Sequence, residues 1–448
     1  MTLRKVWWLS FLVALMLAAV SPECSSAQTA APPQPTQSQP VSQPAQQPQP
    51  TQEAYHLPPD KLAKAIALNR IRNLLDIGGS LWALVVLGLL LATGAAARLA
   101  AWAERMMRRR WLQGLLFFAV FLVVISLANL PLDVAGHLAS RHFGISVQGW
   151  DGWLGDQGKA LGLTVLVGAP ILLLFNWIVR LSPRRFWLGA WIVSLPILMA
   201  SILVEPLVEP LFDQFEPLTE HHPKLVEELE KVVARTGTKI PPDRMFLMKA
   251  SAKTNGLNAY VTGIGATKRI VVWDTTAGRI PDDEVLFVFA HETGHYVLHH
   301  IPKGLVVTAF ASFFVFWGCA AFAQWLVKRC GSRWRVDSLS SRAGFVVLLF
   351  VLSIASFLLE PASNAVSRHF EHQADVYGQE AIHGIVPDPQ KTAVAGFNEL
   401  GEAWLEDPNP NPFIEFWTYS HPSVQQRANF AAHYDPWKNG GHGEFFRN

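Results

Sequence analysis

Charge is what this 448-residue sequence has least of: 16% of its residues are Asp, Glu, Lys or Arg. A soluble globular protein of this size carries about 25%. Half of the residues are apolar and the mean hydropathy is positive, so the deficit points to a membrane protein. Cysteine is equally scarce. Cys24 lies near the N-terminus, Cys319 in an apolar run and Cys330 in a basic loop, which excludes a disulfide framework and a cysteine metal site. A bound metal must use histidine and carboxylate. The formal charge of +2, with no aromatic-basic stripe, leaves no case for a nucleic-acid partner.

What is present divides the chain. Arg4 and Lys5 precede an apolar run from Val6 to Val20, followed by Ser25, Ser26 and Ala27. A basic start, a short apolar stretch and small residues describe a secretory signal peptide, with an uncleaved anchor helix as the alternative. We assign residues 1–27 to this leader. The Pro, Gln, Ser, Thr and Ala of 28–54 cannot bury a core and read as a disordered linker. Residues 55–205 hold an N-terminal helical stretch, Tyr55–Asp76, and four apolar runs long enough to span a bilayer. These are roughly Ile77–Ala97, Trp111–Leu132, Ala160–Val179 and Phe186–Val204. A polar segment, 206–303, precedes a transmembrane hairpin, 304–360, with spans near Gly304–Val327 and Ala343–Leu359. A second polar segment, 361–448, closes the chain.

The loops carry an orientation. Arg98, Arg105, Arg108, Arg109 and Arg110 follow the first span, and Arg180, Arg184 and Arg185 follow the third. Lys328, Arg329, Arg333, Arg335 and Arg342 follow the fifth. All fall on one side, which the positive-inside rule makes cytoplasmic. Both polar segments fall on the other. In a two-membrane bacterium this describes an inner-membrane protein whose water-facing domain lies in the periplasm.

The run from Val285 to His295 ends in His-Glu-Thr-Gly-His. Pro281 followed by Asp282, Asp283 and Glu284 is a helix start, with carboxylates at the positive end of the dipole. On that helix His291 and His295 are one turn apart and share a face, a spacing at which two imidazoles hold one zinc. Glu292, rotated by about 100°, reaches a water at the metal without ligating it. Zinc brings the pKa of such a water towards ~7, and the carboxylate takes its proton. His299 and His300 just beyond are either supporting residues or a solvated helix end.

A third ligand is needed. The run Asn364–Asp375, polar directly after an apolar span, is the best source. Glu371 is our reading, and Asp375, one turn on, could fix the tautomer of a zinc histidine. On spacing alone His369 and His372 are rivals. Asn258–Gly263, a turn and Arg269–Thr275 read as a β-hairpin, ordinary sheet or an edge to which a peptide adds itself.

Taken together, the chain resembles the type I CAAX prenyl endopeptidases and their bacterial relatives among the glutamate-type zincins. The matching motifs are PLFDQFEPL (Pro210–Leu218), LNAYVTG (Leu257–Gly263), KRIVVWDT (Lys268–Thr275), HETGH (His291–His295), SNAVSRHFEHQAD (Ser363–Asp375) and YSHP (Tyr419–Pro422). The resemblance implies that His291, His295 and Glu371 bind one zinc per chain and that Glu292 is the general base. It implies that Asp375 supports the metal, that His421 stabilises the oxyanion, and that Arg368 and Arg427 are supporting residues. Asn258, Ala259, Tyr260 and Val261 correspond to the substrate-binding edge. Eukaryotic members face the cytosol, whereas the loops here place the site outside the cytoplasm.

The expected architecture is mainly α: a polytopic helical membrane protein with a zincin-like metalloprotease domain containing a small β-hairpin or sheet. The expected function is a membrane-embedded zinc metalloendopeptidase. Its partners are the lipid bilayer and an exported or membrane-associated polypeptide substrate. Envelope quality control is a rival within that class. A non-catalytic chaperone or scaffold would have no need of Glu292, and a zinc transporter would carry ligands inside its spans rather than at their ends.

Overall fold

A computed structural model of the protein describes residues 54–263 and 265–446. The expected leader, and the linker as far as residue 53, lie outside them. Six helices among the described residues are long and apolar enough to cross a membrane: α1 (Pro59–Ala92), α3 (Arg110–His142), α4 (Trp150–Leu181), α5 (Phe186–Val208), α8 (His300–Trp334) and α9 (Arg342–Ile382). Between α1 and α3 lies α2 (Ala95–Met106), a 12-residue helix that buries Ala96, Ala100 and Ala103 on one face. Gly94 separates α1 from α2 because the chain turns there at φ 69°, a conformation that costs glycine little.

Two boundaries differ from the hydropathy reading. Tyr55–Asp76 is not a separate element: from Pro59 it is the start of the 34-residue α1, since nothing between Asp76 and Ile77 stops a helix. The polar run carrying Glu371 likewise belongs to the last apolar span. Helix α9 is 41 residues long and passes through Pro361 without ending. That proline removes one N–H, and the helix continues through it with the proline itself buried.

The water-facing part is built around a four-stranded sheet. Strand β1 (Phe215–Pro217) pairs antiparallel with β2 (Met245–Met248), β2 runs parallel to β4 (Arg269–Trp273), and β3 (Ala259–Thr262) pairs antiparallel with β4. Its order, β1-β2-β4-β3, leaves β3 on an edge. The hairpin foreseen at 258–275 is thus half of the sheet. Met245, Leu247, Ala259, Ile270 and Val272 form one core with Leu225, Leu229 and Val232 of α6 (Pro223–Thr236) and with the buried residues Val285–Ala290 of α7 (Asp282–Val297). Helix α7 begins behind Pro281, with Asp282, Asp283 and Glu284 in its first turn.

Helices α7 and α9 press together at two glycines. A Cβ on Gly294 would lie 3.0 Å from Tyr377, and one on Gly378 would lie 2.9 Å from the backbone nitrogen of His291. Contacts this close set the separation of the two helices. Three further helices, α10 (Pro389–Trp404), α11 (Pro412–Thr418) and α12 (Val424–His433), pack against α9, and α10 packs against α7 as well.

Candidate active site

The pairing of α7 with α9 brings three donors together. His291 Nε2 and His295 Nε2 are 3.2 Å apart. Glu371 Oε2 is 3.1 Å from the first and Oε1 is 3.0 Å from the second. All three side chains are buried, and their donor atoms lie within 4.8 Å of one another. His369 and His372, on the same stretch of α9, are exposed. His372 packs instead on the ring of Phe430, 4.6 Å away.

The outer nitrogens are spoken for. Asp375 Oδ1 lies 2.9 Å from His291 Nδ1, so Nδ1 carries the proton and the Nε2 lone pair faces the centre. His295 Nδ1 is 3.0 Å from Nδ1 of the buried His300, whose Nε2 is 3.1 Å from Gln373 Oε1. If His300 donates through Nε2 to that amide oxygen, its Nδ1 accepts from His295, and the His295 Nε2 lone pair also points inwards. Of the two histidines after the motif, His300 therefore orients a site residue. His299 is exposed and marks the break before α8 at φ 58°.

Arg427, on α12, donates from Nε to Asp375 Oδ2 at 3.0 Å and from Nη2 to Asp375 Oδ1 at 2.6 Å. The same Nη2 is 3.1 Å from Glu371 Oε2. Burial pulls the His291 imidazole down, but Glu371 and Asp375 outweigh it and raise its pKa to about 10. Burial also pushes the Glu292 carboxyl up, against the opposing pull of His291 and His295. Glu292, Glu371 and Asp375 thus face a single guanidinium. With neutral imidazoles the cluster lacks two positive charges, and two nitrogens and a carboxylate converge where a dication would supply them. The donor set fits a divalent metal.

His421 sits on the open side, its side chain 37% exposed and Nε2 3.6 Å from Glu371 Oε2. Its position is set from α9. Arg368 Nη1 donates to the carbonyls of Glu415 and Tyr419, at 3.0 and 3.1 Å, and Asn364 Nδ2 to that of Trp417, at 2.7 Å. Arg368 therefore holds the segment leading to His421 rather than touching the three donors.

Strand β3 packs against α7. The Trp273 N–H donates to the Asn258 carbonyl at 3.1 Å, and in this register Tyr260 also forms a hydrogen-bonded pair with β4. Alternation then turns the backbone N–H and C=O groups of Ala259 and Val261 away from β4, to the free edge. The Tyr260 hydroxyl donates to Glu209 Oε1 at 3.0 Å. The Asn258 N–H donates to Thr276 Oγ1 at 2.8 Å, which fixes where the strand starts. Of His300, Gln373, Asn364 and Glu209, sequence reasoning raised only His300, as either a supporting residue or part of a solvated helix end. The polarity of 363–375 was the one signal for the middle two.

Comparison with known proteins covers both halves. The sequence pattern of peptidase family M48 matches residues 220–435, and that of the CAAX prenyl protease N-terminal region, with five membrane helices, matches 39–214. The metalloprotease YhfN of Bacillus subtilis, itself uncharacterized, is 32% identical over 381 residues, 84% of this chain and 87% of that one. CAAX prenyl protease 1 of Saccharomyces cerevisiae is 27% identical over 333 residues, 70% of this chain and 71% of its own. The crystal structure of S. mikatae Ste24p shares the fold, with a TM-score of 0.71 at 22% identity over 83% of this chain and 89% of that one. The chain belongs to peptidase family M48 and joins its protease region to a CAAX prenyl protease-type membrane region, which makes it a membrane-embedded metalloendopeptidase.

Proposed function

We propose that the metal is zinc, one per chain, held by His291 Nε2, His295 Nε2 and the Glu371 carboxylate, and that the substrates are exported or membrane-anchored polypeptides. Support comes from the donor set: three buried donor groups within 4.8 Å, both outer histidine nitrogens partnered, and a deficit of two positive charges. When bound there, zinc supplies a Lewis-acid charge that polarises a scissile carbonyl and acidifies water. Glu292 takes the proton of the attacking water and passes it to the leaving amine. Asp375, clamped by Arg427, keeps His291 in the tautomer that presents Nε2, and His300 does the same for His295. His421 donates to the oxygen on which negative charge develops. An extended substrate adds to the β3 edge through the backbone of Ala259 and Val261.

The thirteen Lys and Arg of the three odd-numbered loops support a site on the opposite, exported face. The prenyl specificity in the names of several relatives is therefore not part of this proposal. Metal analysis of purified variants tests the centre. Wild type and Glu292→Gln should each hold one zinc, with hydrolysis of a quenched peptide lost in the latter by at least about 100-fold. Glu371→Ala should lose the metal, whereas His369→Ala and His372→Ala keep it. Full zinc in Glu371→Ala would remove Glu371 from the ligand set.

A further inference from the structure

At the opposite end of α9 the three basic loops converge. Arg342, the first residue of that helix, donates from Nη1 to Glu104 of α2 and from Nη2 to Gln113 Oε1 at 2.6 Å. Through these bonds the first and third loops are tied together, and Arg180 at the end of α4 closes the gap. The result is a cleft of about 430 Å³ holding Arg108, Arg110, Arg180 and Arg342 beside the hydroxyls of Ser340 and Ser341. Glu104 is the one carboxylate in its lining, and it pairs with Arg342. Among the described residues Arg108, Arg110 and Arg180 have no ion-pair partner. Arg180 and Arg110 lie near enough to Arg342 to repel it. Like charges held together this way are a cost unless an anion joins them.

Two helix N-termini add to the field. Helix α3 starts at Arg110 and α9 at Arg342, both over 30 residues long, so each directs its positive end here, with the Gly344 N–H of α9 already capped by Ser341 Oγ. The depth is that of lipid headgroups. Trp111, beside Arg110, is 50% exposed, while Trp177, one turn before Arg180, is 59% exposed. Outward-facing tryptophans at helix ends sit at the membrane–water boundary. We infer that this cleft binds the phosphate of an anionic phospholipid, with Arg108, Arg110 and Arg180 around the phosphate oxygens. Arg342 acts as the fixed wall between them. Guanidinium groups match phosphate geometry, and basic pockets between membrane helices take such headgroups. A soluble phosphate offers the same oxygens but nothing to cover the apolar flank that Trp111 and Trp177 expose.

Native mass spectrometry of the zinc-loaded protein, titrated with dioleoylphosphatidylglycerol and separately with dioleoylphosphatidylcholine, tests this. The wild type should retain the anionic lipid preferentially. Arg108→Ala/Arg180→Ala should weaken its retention by roughly tenfold, with zinc content and peptide hydrolysis reporting that the variant is folded. Lys328→Ala/Arg329→Ala removes the same charge from exposed positions outside the cleft and should behave as wild type. Equal losses in the two double variants would show general charge attraction and overturn the site. In a parallel arm, inorganic phosphate is added at constant ionic strength in neutral detergent. Stabilisation of the wild type by phosphate, absent in Arg108→Ala/Arg180→Ala and without any preference for the anionic lipid, would assign the cleft to a soluble anion and refute the lipid assignment.

Discussion

Glu371 and Asp375 stand one turn apart on α9 and take different partners, because α7 offers them different nitrogens of its histidines. Glu371 reaches both Nε2 atoms and Asp375 the His291 Nδ1. Arg427 then satisfies Asp375 from behind. Glu284 has no such arrangement. It lies in the first turn of α7, where the helix dipole favours a carboxylate, but its Oε2 is buried without a hydrogen-bond partner among the described residues. Burial, reinforced by Glu399 and Asp283, raises its pKa from 4.5 to about 7. The folded state therefore holds this proton to higher pH than the unfolded chain does. Stability is unaffected by the group below about pH 4.5, falls as pH rises through 7, and stays lower above it. Glu284→Gln should raise the melting temperature at pH 8 by about 2 °C, allowing for solvent screening of a partly exposed group. The gain should vanish near pH 4.5 in a thermal-shift series; an equal gain at every pH would show that ionisation plays no part.

Among the elements, β3 is the one to which the proposed function assigns the substrate. An edge strand normally risks association with other chains, and this one is four residues long, packed against α7 and limited in reach. Its free hydrogen-bonding groups belong to Ala259 and Val261. A proline at an edge position whose N–H faces outwards leaves the sheet intact. Val261→Pro should therefore fold and keep its zinc while losing one hydrogen bond to an extended peptide, raising KM by roughly fivefold. Steady-state kinetics on a quenched peptide decide the matter, since unchanged KM in a zinc-replete variant would take the peptide off this strand. Two short runs rich in β-branched and aromatic residues on either side of a Gly-containing turn made the β3–β4 hairpin legible in sequence. β1 and β2 were not legible, being three and four residues long and paired with partners distant in sequence.

For the whole molecule, the arrangement is one of opposite ends. Glu371 lies about 40 Å along α9 from Arg342, at 1.5 Å per residue, a distance on the scale of a bilayer. On the sidedness proposed above, with the arginine loops on the cytoplasmic side, the Glu371 end would be the exported one. Single cysteines in a cysteine-free background test this with a membrane-impermeant thiol reagent. Lys391, with its side chain 86% exposed, is the reporter for the protease region. Ser332 is exposed at the end of α8 and reports on the basic side. Lys391→Cys should label in intact spheroplasts and Ser332→Cys only after lysis. The reverse pattern would place the centre in the cytosol and bring prenylated substrates back into consideration.

The sequence alone determined what depends on near neighbours along the chain. Apolar runs of bilayer length, the arginine loops and two histidines one turn apart are local periodicities, and they were readable as such. Tertiary structure decided what depends on contact between distant segments. The sequence favoured Glu371 and left His369 and His372 as rivals on spacing. The packing of α9 on α7 through Gly294 and Gly378 turns only Glu371 towards His291 and His295. His300 acquires a role because the chain breaks at His299 and folds its ring back onto His295. Arg108, Arg180 and Arg342 read in sequence as one sidedness signal. Their meeting in a single cleft follows from how the membrane helices pack, since a helix fixes which face a side chain occupies but not what lies opposite it.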